Sequence, residues 1–161
     1  MNAELLRVIE ELPVPSVLVA GDLIADRYVR GAVERVSPEA PIQVLLEEAA
    51  SQSPGGTGAV ARNLARLGAR VRIVGVVGED AEGGELKRAL KDGGVDTAGL
   101  VRARERSTSV KTRYIASSQH ARQQILRVDR ETNESLDRGL TSSVAETARA
   151  RVDHGDLTAL L

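Results

Sequence analysis

The chain has 161 residues, 42% of them apolar and 28% charged, with a net charge of -1, which is enough for one domain with a real core. With two Tyr as the only aromatics it lacks the stacking platforms of single-strand nucleic-acid binders, so nucleic acid is excluded as an expected partner. The absence of Cys rules out disulfides, thiolate nucleophiles and Cys-ligated metals, and two His, His120 and His154, make no zinc site by themselves.

In chain order, Leu5, Ile9 and Leu12 form one face of a short N-terminal helix that Pro13 and Pro15 stop. This helix is acidic and lacks the basic start and unbroken apolar core of a signal peptide. No run approaches the roughly 20 apolar residues of a membrane span. The expectation is a cytoplasmic protein with no membrane partner. SVLVAGD follows as a short strand whose apolar run predicts a central, parallel position. Residues 28–46 alternate polar and apolar side chains around Pro38 and Pro41, predicting half-exposed strands joined by a tight turn, a flap rather than core. Residues 58–67 are helical, with Val60, Leu64 and Leu67 on one face and Gly68 as a left-handed cap. ARVRIVGVVG reads as a second buried strand, residues 82–91 as a helix, and Gly93-Gly94 as its stop. VDTAGLV then leads into alternating strands at residues 109–116 and 123–128 that are predicted to pair with the flap. Asn133 is placed to cap a last helix with Leu136, Leu140 and Val144 inward, although Gly139 costs about 1 kcal/mol there against Ala. Residues 157–161 begin another apolar strand. The repeated switch between periods of 2 and 3.6 predicts an α/β fold.

Three features carry chemistry, each with a plain structural alternative. Gly55-Gly56 stands just ahead of a helix, where free N–H groups and the dipole favour an anion or a polar sugar edge, although such glycines also serve as turn formers. Asp22 and Asp26 follow the first strand, at the edge of an open α/β sheet where ligands bind, and suit paired hydrogen bonds to sugar hydroxyls or simple turn capping. Lys111, Arg113 and Arg127 alternate with apolar residues, so that they project from one sheet face toward a phosphorylated substrate, or into solvent. A competing pattern, Gly56-Thr57-Gly58-Ala59-Val60-Ala61 with Glu79 downstream, fits G-x-G-x-x-A and would make a dinucleotide-binding oxidoreductase. The polar stretch EEAASQSP ahead of the glycines argues against it, because that fingerprint needs a buried strand running into the first glycine.

Taken together, VAGDLIADRY, RVSPEAPIQV, PGGTGAVARNLARLGA, IVGVVGEDAEGGEL, GVDTAGL, TSVKTRYIA and QQILRVDRE resemble the N-terminal half of a PfkB (ribokinase-like) carbohydrate kinase. Within that family they most resemble the heptose-7-phosphate kinase domain of ADP-heptose synthesis enzymes. The resemblance implies a partial three-layer α/β sandwich with a small β-lid, the lid formed by residues of about 28–47 and 100–128 within one domain spanning 1–161, and the C-terminal half absent. It implies that Asp26 binds sugar hydroxyls, that Gly55 and Gly56 close on the sugar through their backbone, and that Lys111, Arg113 and Arg127 contact the sugar phosphate. A homodimer through the lid is expected, since this covers strand edges. The complete enzyme is expected to use ATP and Mg2+ to phosphorylate the anomeric hydroxyl of D-glycero-D-manno-heptose 7-phosphate.

Two departures qualify this. Ala59 stands where Gly-Gly-Ala-x-Asn motifs carry Asn, and Asn63 one turn later does not replace it. No Gly-Ala-Gly-Asp segment, the family's source of the catalytic base, and no Walker A sequence occurs; Val152-Asp153-His154-Gly155-Asp156 has only the last dipeptide. The 161 residues are therefore expected to hold no catalytic or metal-binding residue, to bind no nucleotide and to be inactive alone. The alternatives are a non-catalytic sugar-phosphate-binding or dimerising module and, further off, the oxidoreductase.

Overall fold

Ser16–Ala20 (β1) is almost wholly apolar, and a strand of that kind is stable only with both faces covered. In the computed structural model, which describes residues 7, 11–117, 121–132, 134–152 and 157–161, it lies inside a parallel sheet. The expected N-terminal helix, Asn133, His120 and the 153–156 segment fall largely or wholly outside the described residues.

The remaining described elements are Leu23–Val36 (β2), Gln43–Gly56 (β3), Thr57–Arg66 (α1), Arg70–Gly78 (β4), Ala81–Asp92 (α2), Val95–Ala103 (β5), Ser109–Ser117 (β6), Arg122–Arg130 (β7), Arg138–Val152 (α3) and Ala159–Leu160 (β8). The parallel sheet has the order β5-β4-β1-β8, with Ser16 beside Arg70 and Val71 beside Val95. On one face Val17, Val19, Val71 and Ile73 pack against Ala61 of α1 and Leu86 and Leu90 of α2. Burying a Leu or Ile of this kind stabilises by roughly 1.5–3 kcal/mol, so this layer holds the domain together. Arg72 lies between Val71 and Ile73 and turns to the opposite face, where it donates to Ser16 Oγ at 2.8 Å and to the Arg151 carbonyl of α3 at 3.1 Å. Helix, sheet and helix thus form the expected α/β three-layer sandwich.

The second sheet has the order β3-β2-β6-β7; β2 runs antiparallel to β3 and parallel to β6, and β6 antiparallel to β7. This is the lid foreseen in the alternating segments, but its strands are longer. The polar stretch 47–53 is strand, paired with β2 over Asp26 to Gly31, because backbone pairing needs no apolar side chains on an exposed sheet. At the other boundary β5 stays with the parallel sheet to Ala103, and the returning lid strand begins only at Ser109. The hairpin turn closes with Ser37 N–H donating to the Ile42 carbonyl at 2.8 Å. At the bulge after Arg30, a Cβ on Gly31 would stand 1.9 Å from the Leu46 carbonyl oxygen, so no other residue fits there.

Side chains tie the lid to the layer beneath it, as Arg130 of β7 does by pairing with Glu82 of α2 at 2.6 Å. Asp80 caps α2 by accepting from Gly83 N–H at 2.8 Å, and it also accepts from Thr108 N–H and Thr108 Oγ1, both at 2.7 Å. Thr108 Oγ1 in turn accepts from Gly78 N–H at 2.9 Å. Burial pushes the Asp80 carboxyl up, but the Thr108 and Gly83 donors outweigh it and hold the group below the usual carboxylate range. Among the described residues, no helix is long and apolar enough to cross a membrane.

Candidate active site

The glycine pair ends β3 and opens α1. Gly56 has φ of 52°, the left-handed region that favours glycine, and a Cβ there would meet the Asp22 carbonyl oxygen at 2.8 Å. Thr57 N–H donates to that same carbonyl at 3.1 Å, which pins the start of α1 to the β1–β2 junction. No side chain caps α1 and its first turn holds no acidic residue. Ala59 sits in this first turn, and Asn63 is exposed one turn on.

Asp26 stands elsewhere than its sequence position suggests. The first strand ends at Ala20, so Asp22 occupies the junction while Asp26 lies within β2, in the lid. It is nevertheless folded onto the glycine pair: a Cβ on Gly55 would lie 2.4 Å from Asp26 Oδ2, a distance only glycine permits. Asp26, Gly55 and Gly56, the residues expected to bind the sugar, therefore come together.

The cations arrive on the same lid face. Period-two alternation and register place Asp26 opposite Lys111, Tyr28 opposite Arg113, Arg113 opposite Arg127, and Lys111 opposite Asp129. Arg113 Nη1 donates to Asp26 Oδ1 at 2.5 Å, with about a fifth of each side chain exposed. The guanidinium also lies 5.4 Å from the centre of the Tyr28 ring, as does that of Arg30. Lys111 Nζ donates to Asp129 Oδ2 and to Glu131 Oε2, each at 3.1 Å, and Arg127 Nε pairs with Asp129 Oδ1 at 2.9 Å. The hydrogen bonds it donates to Glu131 and Asp129 push Lys111 up, and the one to Asp26 pushes Arg113 up. Desolvation pushes Asp129 up, but Lys111 and Arg127 outweigh it and hold the group low.

All three cations assigned to a sugar phosphate are thus already paired with carboxylates. The partners Asp129 and Glu131 went unassigned in the sequence, although their period-two spacing from Arg127 was visible in QQILRVDRE. Beside this face, a cavity of about 170 Å³ opens at the C-terminal ends of β1 and β4, lined by Gly21, Asp22, Gly75, Arg106, Thr108 and Val144 among others. Arg106 is fixed at its rim by donating to the Glu134 and Thr132 carbonyls, at 2.7 and 3.0 Å. Open α/β sheets bind ligands at this edge.

The dinucleotide pattern does not survive the topology. A strand does run into Gly56, against the sequence expectation, but it is the antiparallel lid strand β3 and not a strand of the parallel sheet. The glycines therefore do not follow the strand that a Rossmann turn requires. Among the described residues, no three His, Cys, Asp or Glu stand close enough to hold a metal.

Comparison with known proteins bears on this arrangement. Residues 14–154 match the profile of the pfkB family carbohydrate kinases. The chain is 43% identical over 140 residues to the bifunctional protein HldE of Helicobacter acinonychis (strain Sheeba), covering 87% of this chain and 29% of that one. It spans about 29% of the length of the curated relatives it matches. A carbohydrate kinase from Agrobacterium tumefaciens shares the fold with a TM-score of 0.58 and 24% identity, over 73% of this chain and 36% of that one. A fructokinase from Xylella fastidiosa with bound ATP aligns with a TM-score of 0.50 and 25% identity, over 73% of this chain and 33% of the other.

Proposed function

Because the chain belongs to the pfkB family of carbohydrate kinases, we propose that its 161 residues form the acceptor-sugar part of an ATP- and Mg2+-dependent kinase acting on D-glycero-D-manno-heptose 7-phosphate at the anomeric hydroxyl, in the cytoplasmic synthesis of ADP-heptose. The observation that carries the acceptor role is the Asp26 carboxylate folded onto Gly55 below a lid face bearing Lys111, Arg113 and Arg127. The identity to HldE and the bound ATP of the fructokinase relative support the substrate and the phosphoryl donor.

In this reading Asp26 accepts hydrogen bonds from sugar hydroxyls, Gly55 and Gly56 let the backbone close on the ring, and the lid cations meet the 7-phosphate. Phosphoryl transfer depends on positioning both partners and stabilising charge, so an acceptor site without a nucleotide site gives no turnover. The 161 residues alone are therefore expected to bind the sugar phosphate and not to phosphorylate it. Isothermal calorimetry with heptose 7-phosphate tests the reading: saturable binding that Asp26→Ala abolishes supports it, and no binding of any sugar phosphate refutes it.

The second reading, a sugar-phosphate-binding or dimerising module, is favoured by the exposed Val36, Ile42 and Leu46 of the hairpin and Leu126 and Val128 of the edge strand β7. Pairing of two lids would cover these residues and the strand edges. Sedimentation of the chain at micromolar concentration distinguishes a dimer from a monomer.

A further inference from the structure

From the Asp26–Arg113 pair we infer a recognition latch that makes the acceptor site selective for polyols carrying an anionic group. The inference rests on the acceptor reading above and adds a mechanism of selection to it.

Asp26 uses one oxygen, Oδ1, for the Arg113 guanidinium and rests the other, Oδ2, against Gly55. Hydroxyls that are to sit on Oδ1 compete there with Arg113. Of the three lid cations, Arg113 is also the one paired with Asp26, whereas Lys111 and Arg127 pair with other carboxylates. Lys111 is held by two, Asp129 and Glu131, and Arg127 shares Asp129 with it. A phosphate that takes Arg113 therefore releases the carboxylate expected to hold the hydroxyls, and the other neighbour of Arg113 is the Tyr28 ring. The flexible stem of arginine lets the guanidinium leave Asp26 without moving the strand.

A neutral sugar offers new donors to Asp26 but leaves Arg113 without its carboxylate. Inorganic phosphate offers a new partner to Arg113 but leaves Asp26 unpaired. A phosphorylated sugar supplies both replacements in one molecule, so the two halves of recognition help each other and neither works well alone. Arg113 and Asp26 are in this sense specificity-determining as a pair and not only as separate contacts.

The test measures binding of inorganic phosphate and of unphosphorylated D-glycero-D-manno-heptose to the chain and its variants by calorimetry. Asp26→Asn frees Arg113 and is expected to tighten inorganic phosphate about fivefold, the scale of a partly exposed ion pair, with the gain lost in Asp26→Asn/Arg113→Ala. Arg113→Ala frees Asp26 and is expected to tighten the neutral heptose by a similar factor while weakening the 7-phosphate. A purely structural role, or an Arg113 that merely touches phosphate, produces no gain for the neutral sugar. Unchanged or weaker phosphate binding by Asp26→Asn overturns the latch, and that result decides it even where Arg113→Ala does not fold. Sugar-phosphate binding by the unaltered chain without either gain leaves the acceptor reading standing and removes the latch. Gains in both variants without sugar-phosphate binding by the unaltered chain keep the latch and remove heptose 7-phosphate as its ligand.

Discussion

The two sheets of this molecule solve the same folding problem with different materials. In the parallel sheet Leu18, Ile73 and Val74 are fully buried and helices cover both faces, whereas every residue of lid strand β7 is exposed and its neighbours are joined by backbone pairing and ion pairs. Burial is cooperative and unforgiving, so the parallel sheet serves as a fixed support. Charge pairs at a partly exposed surface are individually weak and exchangeable, which suits the role proposed above for the lid.

Substitutions that reach one sheet and spare the other break or sharpen this contrast. The largest effect is expected from Leu90→Ala, which removes a fully buried side chain between α2 and the parallel sheet and should destabilise the chain by about 3 kcal/mol in denaturant unfolding. Next comes a tie between the sheets: Asp80→Asn weakens an N-cap and the bonds to Thr108, with an expected loss of about 2 kcal/mol and faster hydrogen exchange along β6 relative to β4. If β4 and β6 exchange at equal rates in that variant, Asp80 supports the whole fold and not the lid attachment. Removal of a lid ion pair, as in Arg127→Ala, should change stability by less than about 1 kcal/mol, since the Arg127 side chain is half exposed.

Acid provides the same comparison without mutation. Asp80, Glu82 and Asp96 are all held below their ordinary values in the folded chain; hydrogen bonding leads for Glu82, and donors outweigh desolvation for the two aspartates. A depressed folded value means that the stability these groups add is complete above their unfolded values of about 4 and is lost as the pH falls below them. Unfolding midpoints should therefore be flat from pH 7 to about pH 5 and drop below about pH 4. In Asp80→Asn that drop should shrink, and a drop of the same size in both proteins would show that Asp80 contributes none of it.

Legibility in the sequence divided along the same line. The buried strands and helices were visible because burial imposes a pattern: SVLVA and VRIVGVV are continuous apolar runs, and Leu86 and Leu90 fall one helical turn apart. The lid was visible as alternation but not in extent, since 47–53 pairs through its backbone and the side chains EEAASQS carry no strand signal. The candidate site residues were found by type and motif, while their mutual relations were not: nothing in the spacing of Asp26 and Arg113, 87 positions apart, says that they bond to each other.

By itself, then, the sequence determined the order of buried and exposed segments, the glycine pair ahead of a helix, and the supply of cations for one lid face, because each of these is a local preference written in residue type. Only the tertiary structure decided that Asp26 belongs to the lid, that β3 and not a core strand delivers the glycines, and that each cation meets a carboxylate, because parallel pairing of β2 with β6 joins distant segments whose register no local pattern encodes.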